Sequence, residues 1–336
     1  MRKRSAALAI LVGIVVTACA SGPATALDKV KVTIAALSTN YAPFFNAIEQ
    51  GYFKEEGLDI EIVNAGGGVA TPALISGQVE FNTSAASAFS AILKGAPLKV
   101  VLTEADRPAY QLWATADNCG SVQKLKGKTI AIQTRGDTFE VWVRLVLRSH
   151  GMSGDDVSYT PLGFGSASRL AAARTGSLPA VVLSPIDVTE LRETGGLGNS
   201  CLLEDSMKSD IRMPYNGVAT SDALIQSNPD LVLRFVRATL KGTYFMTAFK
   251  EKTIANVMAY SKKDHHSTEV DYDEVVETLT KDGSVPASVQ QTEADVRAEV
   301  VKLPKDKIPP LDKMFDYSFV HKANASLKAQ GWKPKL

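Results

Sequence analysis

Segments typical of strands and of helices alternate from residue 30 to residue 184, and this alternation most constrains the fold. The run VKVTIAAL (30–37) is typical of a buried strand, and PFFNAIEQG (43–51) after it has apolar residues at helical spacing. Further pairs of the same kind follow, as far as the strand PAVVLS (179–184). Strands that alternate with helices favour a parallel α/β sheet with helices packed on its faces.

The segment AIEQGYFKEEGLDIEIV (47–63) contains two glycines that break its pattern. Gly51 is predicted to end the first helix in the left-handed conformation, which glycine adopts without steric cost. Gly57 is predicted to turn the chain into the strand LDIEIV (58–63). The segment therefore reads as a compact connection from helix to strand.

Two extended segments, YQLWATA (110–116) and YNGVATS (215–221), can carry the chain from one sheet to another and back. A chain of 336 residues, 45% of them hydrophobic, is long enough for two lobes. We predict an α/β fold with two α/β lobes joined by two crossing segments. Lobe 1 is predicted to comprise 28–109 and 217–336, including C-terminal helices, and lobe 2 to comprise 110–216.

The C-terminal third is predicted to be mostly helical. Asn228 followed by Pro229 is a favourable N-cap and first helical position. The expected helices are 229–249, about 252–262, 269–281 and about 316–330, with an extended, proline-broken link at 301–313.

Residues 1–26 have the layout of a bacterial export signal: a basic start, an apolar run and then small residues. The apolar run is too short to span a bilayer as a permanent helix. VTAC at 16–19 resembles a lipobox, in which cleavage between 18 and 19 would leave Cys19 lipidated. Ala24-Thr25-Ala26 and Ala18-Cys19-Ala20 are rival cleavage sites. The mature protein is therefore expected in the periplasm or at the extracytoplasmic face of the membrane, either free or lipid-anchored.

The remaining cysteines, Cys119 and Cys201, either form a disulfide in an oxidising compartment or stay as free thiols. Neither has the spacing of a metal site, and we expect no metal or cofactor. The formal net charge of +1 gives no reason to expect nucleic acid as a partner. The four histidines do not form an H-E-x-x-H motif, and no G-x-S-x-G motif is present.

Four segments resemble one known family: APFFNAIEQGYFKEEGLDIEIV, ALISGQVEF, KGAPLKVV and LKGKTIAIQTRGDTFE. They occur in the order found in ABC-transporter substrate-binding proteins for sulfonates, nitrate, taurine and thiamine-pyrimidine precursors, and the match runs from about 30 to 250. The resemblance implies the type II periplasmic-binding-protein fold. It also implies a monomer without enzymatic activity that delivers a small solute to an ABC permease. The alternatives are a thiamine-pyrimidine-synthase-like enzyme of the same superfamily and a sensing or regulatory binding protein.

A ligand of such a protein is expected between the lobes, since open α/β sheets bind ligands at the carboxyl ends of their strands. The expected hinge lies in the crossing segments, near 104–116 and 211–220. The residues predicted at this cleft follow strands or lie on the return crossing: Asn40, Tyr41, Phe44, Gly67, Gly68, Thr83, Ser84, Arg107, Arg135, Asp137, Thr138, Phe164, Ser166, Ser184, Tyr215 and Asn216.

Arg135 is the strongest of these candidates, because it precedes a helix N-terminus where a positive dipole and free N–H groups favour an anion. Asp137 or Thr138 is predicted to cap that helix, and Asp137 can hold Arg135 in place. The glycines at 66–68 can also expose N–H groups to an anion. We therefore predict a small organic, anionic solute, such as a sulfonate, a carboxylate or aromatic acid, or a pyrimidine-like compound.

Overall fold

The computed structural model describes residues 26–163 and 165–336, so Cys19 and nearly all of the predicted export signal lie outside the described residues, as does Phe164. Within the described ranges, ten strands form two five-stranded sheets, in the orders β2-β1-β3-β10-β4 and β7-β6-β8-β5-β9. The strands are β1 (Asp28–Ile34), β2 (Leu58–Asn64), β3 (Phe81–Asn82), β4 (Leu98–Ala105), β5 (Gln111–Ala114), β6 (Thr129–Ile132), β7 (Ser158–Pro161), β8 (Ala180–Leu183), β9 (Cys201–Asp205) and β10 (Asn216–Ser221).

Helices cover both sheets and continue to the C-terminus. They are α1 (Ala42–Glu49), α2 (Tyr52–Glu55), α3 (Gly67–Ile75), α4 (Ala85–Leu93), α5 (Thr138–Ser149), α6 (Ser166–Thr175), α7 (Pro185–Glu193), α8 (Asp222–Ser227), α9 (Pro229–Ala248), α10 (Lys250–Ser261), α11 (His265–Val276), α12 (Ala287–Val300), α13 (Leu311–Met314) and α14 (Ser318–Ala329).

The prediction of two α/β lobes joined by two crossings is confirmed. The chain leaves the first sheet after β4, builds the second sheet from β5 to β9, and returns to the first sheet with β10. Both sheets are mixed rather than purely parallel, because β10 runs antiparallel to β3 and β4, and β5 runs antiparallel to β8 and β9. We call the part built on the first sheet lobe 1 and the part built on the second sheet lobe 2.

The predicted connection after α1 is confirmed. Gly51 and Gly57 have φ angles of 75° and 73°, in the left-handed region that glycine favours. The turn between them buries Tyr52 and Phe53 against lobe 1. Nearby, a Cβ atom at Gly242 of α9 would lie 1.9 Å from the carbonyl oxygen of Pro43. Helices α1 and α9 can therefore pack this closely only because α9 has a glycine at the contact.

Lobe 2 is built around Trp142 of α5, which is fully buried beneath the second sheet. A disulfide joins Cys119 to Cys201, with Cα atoms 5.8 Å apart. It ties the segment after β5 to the start of β9, an edge strand that the sequence analysis did not predict. The alternative of two free thiols therefore does not hold in this structure.

The C-terminal part differs from the prediction at three places, one of which is the short helix α13 in the link predicted to be extended. The helix predicted at 269–281 spans 265–276, where Asp264 accepts a hydrogen bond from Ser267 N at its start. The helix α12 was not predicted, and it packs against α5 of lobe 2 as well as α4 of lobe 1. The C-terminal part therefore contacts both lobes.

None of the helices in the described ranges is long and apolar enough to cross a bilayer. The same ranges contain no group of three or more histidine, cysteine, aspartate or glutamate side chains placed to hold a metal ion.

Candidate binding cleft

A cleft of about 680 Å³ lies between the two sheets, and a smaller compartment of about 260 Å³ adjoins it. The two spaces share five lining residues, Ser38, Asn40, Tyr110, Gln133 and Tyr215. Volumes of 300 to about 1,000 Å³ are usual for sites that enclose a small organic ligand. The two compartments together therefore offer one site for a solute of that size.

The lobe 1 wall is formed by residues that follow β1, β2 and β3. The hydroxyl groups of Tyr41 and Ser84 are 2.9 Å apart and form a hydrogen bond. Burial raises the pKa of Tyr41, so its hydroxyl keeps its proton and can donate to a ligand. Ser84 occupies the N-cap position of α4, but its hydroxyl makes no capping hydrogen bond to that helix. Gly68 lines the cleft in the first turn of α3, whereas Gly67 begins that helix.

Tyrosines from both crossing segments meet at the base of the cleft. The Tyr110 hydroxyl forms a hydrogen bond with Thr138 Oγ1 at 2.9 Å and donates to the Tyr215 hydroxyl at 3.3 Å. Beside them, the amide of Asn216 donates to the Asn40 carbonyl at 2.7 Å. Four of these five residues were predicted at the cleft, and the structure brings them together. Tyr110 was not predicted at the cleft, because it begins a segment that was interpreted only as a connection from one sheet to the other.

The lobe 2 wall is centred on the N-terminus of α5. Asp137 caps this helix as predicted: it accepts from Glu140 N at 3.1 Å and from Thr134 N at 2.7 Å. Burial raises the pKa of Asp137, while these N–H donors oppose the shift. Asp137 does not hold Arg135, contrary to the expectation. The partner of Arg135 is the fully buried carboxylate of Glu140 at 3.3 Å.

Every cationic side chain that lines the two compartments has a carboxylate partner within the described chain. The pairs are Arg135–Glu140 at 3.3 Å, Arg169–Asp187 at 3.2 Å, Lys263–Asp271 at 2.9 Å and Arg297–Glu293 at 2.6 Å. Asp137 and Glu274 add carboxyl groups that have no such cationic partner. The cleft therefore offers many N–H and O–H donors but no excess of positive charge.

The smaller compartment brings α7 of lobe 2 near α11. Ser184 lines it, with its hydroxyl donated to Asp187 at 2.8 Å, as part of the cap of α7. On the α11 side of this compartment, burial raises the pKa of Glu274 to about 7. The carboxylates of Asp271 and Asp205 shift this pKa in the same direction. Glu274 was not predicted, because candidate site residues were taken only from positions after strands and from the crossings.

Two predicted site residues lie in the core of lobe 1. Phe44 is buried against Phe53 and Phe235, with ring centroids at 5.3 and 6.3 Å. Its position on α1 turns it towards α2 and α9, and it lines neither compartment of the cleft. Thr83 is also buried, and its hydroxyl donates to the Thr33 carbonyl at 2.8 Å. The prediction was wrong for both residues, because it placed everything near a strand end at the surface of the cleft.

Arg107 and Ser166 likewise do not line either compartment. Arg107 donates to the Glu277 carbonyl at 2.8 Å and lies beside Asp106, so it ties the first crossing to the end of α11. Ser166 starts α6, and its hydroxyl accepts from Arg169 at 3.2 Å. Ser166 therefore orients a lining residue without lining the cleft itself.

The structure also adds residues that the sequence analysis did not single out. Gln133 lies at the end of the strand before Arg135, and Ser87 and Ser90 lie on α4. The signal for Gln133 was present, because it lies directly after a predicted strand and two residues before the predicted site residue Arg135. Arg297 of α12 is a further addition. It lay outside every segment considered, because α12 was not predicted.

Comparisons with known proteins agree with this architecture. The putative sulfonate ABC transporter periplasmic sulfonate-binding protein SsuA of Methylobacillus flagellatus superposes with a TM-score of 0.73 at 17% identity, covering 92% of this chain and 98% of the other. The periplasmic nitrate-binding protein NrtA of Synechocystis PCC 6803 gives a TM-score of 0.69 at 14% identity, covering 90% of each chain. The two lobes and the cleft between them thus define a protein of the periplasmic-binding-protein fold.

The family follows from sequence. The NMT1/THI5-like family model matches residues 38–252, which is more than half of the chain. The riboflavin-binding protein RibY of Chloroflexus aurantiacus is 30% identical over 266 residues, covering 72% of this chain and 74% of the relative. The chain belongs to the NMT1/THI5-like family.

Proposed function

We propose that this protein is the solute-binding component of an ABC importer, which captures a small organic compound in the cleft and delivers it to a membrane permease. The observation that carries the proposal is a cleft lined from both lobes, with tyrosines of both crossing segments at its base. A ligand there contacts both lobes at once, so its binding energy can favour the closed arrangement. The site residues that line the cleft are proposed to contact it.

The proposed ligand is a planar, uncharged heteroaromatic compound rich in hydrogen-bond acceptors, of the flavin class. Because each lining cation is already paired with a carboxylate, an added anion would gain little Coulomb energy and would lie near those carboxylates. Neutral carbonyl and ring-nitrogen acceptors can use the same donors without this penalty. The relative RibY is named as a riboflavin-binding protein, which supports the same class.

An anionic solute, the class predicted from the sequence, is the second candidate. Arg135 supports it, since 54% of its side chain is exposed and it lies before the N-terminus of α5. A sulfonate or an aromatic carboxylate there would compete with Glu140 for the same guanidinium.

A protein without enzymatic activity is proposed because the relative RibY and the structural neighbours SsuA and NrtA are named as binding proteins. The carboxyl of Asp137 is used as a helix cap. A synthase-like enzyme would consume its ligand, and a sensing protein would bind it without supporting uptake. We propose that the protein acts as a monomer on the extracytoplasmic side of the membrane, with lipidation of Cys19 as one means of attachment.

A thermal-shift screen of the purified mature protein tests the ligand class. Riboflavin, ethanesulfonate, benzoate, thymine and nitrate are added separately, and a true ligand raises the melting temperature by mass action. Riboflavin is expected to stabilise the protein and ethanesulfonate is not. Stabilisation by ethanesulfonate alone would replace the flavin class with the anionic candidate.

A further inference from the structure

Helix α12 lies beyond the part of the chain that matches the family model, yet it reaches the cleft. Its Val296 is fully buried in the same apolar cluster as Trp142 of lobe 2. Its neighbours Glu293 and Arg297 are each only 1% exposed. A charged pair this deeply buried costs free energy to desolvate, so its position needs an explanation beyond packing.

The guanidinium of Arg297 contacts both lobes. Its Nη1 donates to Ser90 Oγ of α4 at 3.3 Å and to the Gly136 carbonyl of lobe 2 at 3.4 Å. Its Nε donates to Glu293 Oε1 at 2.7 Å within α12. The side chain of Arg297 therefore links α12, α4 and the loop before α5 at a corner of the cleft.

The same pair leaves one donor and one acceptor without a hydrogen bond. Arg297 Nη2 lies 2.6 Å from Glu293 Oε1 as an ion pair, but neither Nη2 nor Glu293 Oε2 makes a hydrogen bond to any described residue. A buried polar atom without a partner is unfavourable, and most such atoms in folded proteins find one. Because Arg297 lines the cleft, a ligand that packs against this corner can offer an acceptor to its guanidinium.

We propose that Arg297 is a specificity-determining residue that donates to an uncharged acceptor, a carbonyl oxygen or ring nitrogen, of the bound solute. This inference rests on the proposed function of the cleft. Glu293 balances the charge of Arg297, so the pair as a whole carries no net charge. The guanidinium still provides strong N–H donors, and such a site suits a neutral acceptor. The ligand then completes a network that joins lobe 1, lobe 2 and α12.

Two variants test this role without leaving a buried charge unpaired. Arg297→Lys keeps the pair with Glu293 but loses the planar set of donors. The double variant Glu293→Gln with Arg297→Gln removes both charges together. Arg148→Gln is the matched control, because the Arg148–Glu299 ion pair also ties α12 to α5 but involves no residue that lines the cleft.

Isothermal titration with riboflavin is expected to show a dissociation constant about tenfold or more higher for both Arg297 variants. Arg148→Gln is expected to stay within about twofold of wild type, since a surface ion pair contributes little. Melting temperatures without ligand confirm that each variant is folded. Binding by the folded Arg297 variants within about twofold of wild type would overturn the role of Arg297. An equal loss in Arg148→Gln would show that α12 acts only as a structural strap.

These titrations distinguish a failure of the role proposed for Arg297 from a failure of the proposed ligand class. Wild type that binds ethanesulfonate but not riboflavin refutes the flavin proposal, and the same variants are then titrated with ethanesulfonate to decide the role of Arg297. Wild type that binds neither probe contradicts both proposals.

Discussion

The hydroxyl of Tyr110 donates to the hydroxyl of Tyr215 at 3.3 Å, and the two tyrosines lie on the two segments that join the lobes. Their rings meet edge to face, with centroids 5.8 Å apart. The closure proposed to follow ligand binding would turn about these two crossings, so we expect it to change this contact. The pair therefore offers a direct test of whether the base of the cleft takes part in binding.

Replacement of Tyr110 by phenylalanine is expected to weaken ligand binding by roughly three- to tenfold, because it removes one hydroxyl that bonds both Thr138 and Tyr215. The ring itself stays in place, so the melting temperature should change little. Tyr159→Phe is the control, since the Tyr159 hydroxyl bonds the Gly154 carbonyl away from the cleft. Equal affinities of the two variants in calorimetry would show that the Tyr110 hydroxyl has no part in binding.

Arg135→Ala is expected to weaken binding without unfolding the protein. Glu140 would keep a donor in Arg144, whose Nε lies 3.1 Å away, and another in Gly136 N at 2.9 Å. Arg144→Ala should instead destabilise the protein by about 3 kcal/mol, because Arg144 is buried beside a buried carboxylate. Denaturant unfolding compares the two variants. Unchanged affinity of Arg135→Ala would remove Arg135 from the site.

Replacement of both Cys119 and Cys201 by serine is expected to lower the free energy of unfolding by about 2–4 kcal/mol, since the disulfide closes a loop over a sequence separation of 82. Neither cysteine lines the cleft, so the dissociation constant should stay the same. Thermal unfolding with and without a reducing agent provides the measurement. A change in affinity comparable to that of Tyr110→Phe would show that lobe 2 rearranges without its disulfide.

The stability of the protein should fall as the pH rises towards 8, in part because of Glu104. Burial raises the pKa of Glu104 from 4.5 to about 8, and the described residues form no ion pair with it. The folded state therefore holds a proton that the unfolded state has already released, so stability is present below pH 4.5 and is lost as the pH rises through 8. Each pKa unit corresponds to about 1.4 kcal/mol, so the loss amounts to a few kcal/mol.

Glu104→Gln removes this titration and should make the variant more stable than wild type at pH 9, with little difference at pH 4. Thermal unfolding over this pH range gives the difference between the two proteins. Glu61→Gln, at an exposed position, is the control. Parallel pH profiles for wild type and Glu104→Gln would show that Glu104 is ionised in the folded protein.

The two-lobed fold could be predicted because its signals are local. Alternating strand and helix patterns, Gly51 at a helix end and Asn228 as a helix cap each depend on a few neighbouring residues. The antiparallel insertion of β5 and β10 could not be predicted, since it depends on which distant strands they pair with. The sequence carries no local signal for that pairing.

Lining residues could be predicted only where a position directly after a strand decides whether the side chain reaches the cleft. Asn40, Tyr41 and Asp137 follow strands and reach the cleft, whereas Phe44 follows the same strand and turns into the core. A shift of a few residues along α1 decides whether a side chain faces the cleft or the core. The spacing of apolar residues alone does not show which of the two it faces. The direction of a side chain on α1 depends on what packs against that helix.

Arg297 was missed because α12 has a polar sequence with weak amphipathic spacing. The helical signal that could have revealed it is the pair Glu293 and Arg297, four residues apart. Even with the helix predicted, its position across the two lobes depends on distant contacts of Val296 and Ser90. Such contacts are visible only in the folded chain.

We propose that the cleft holds one solute between the lobes and releases it unchanged. Equilibrium dialysis of the mature protein against riboflavin, followed by chromatography of the recovered ligand, measures both properties in one experiment. Binding is expected to saturate at one riboflavin for each chain, with the ligand recovered intact. Absence of saturable binding, or conversion of riboflavin into a product, would contradict this proposal.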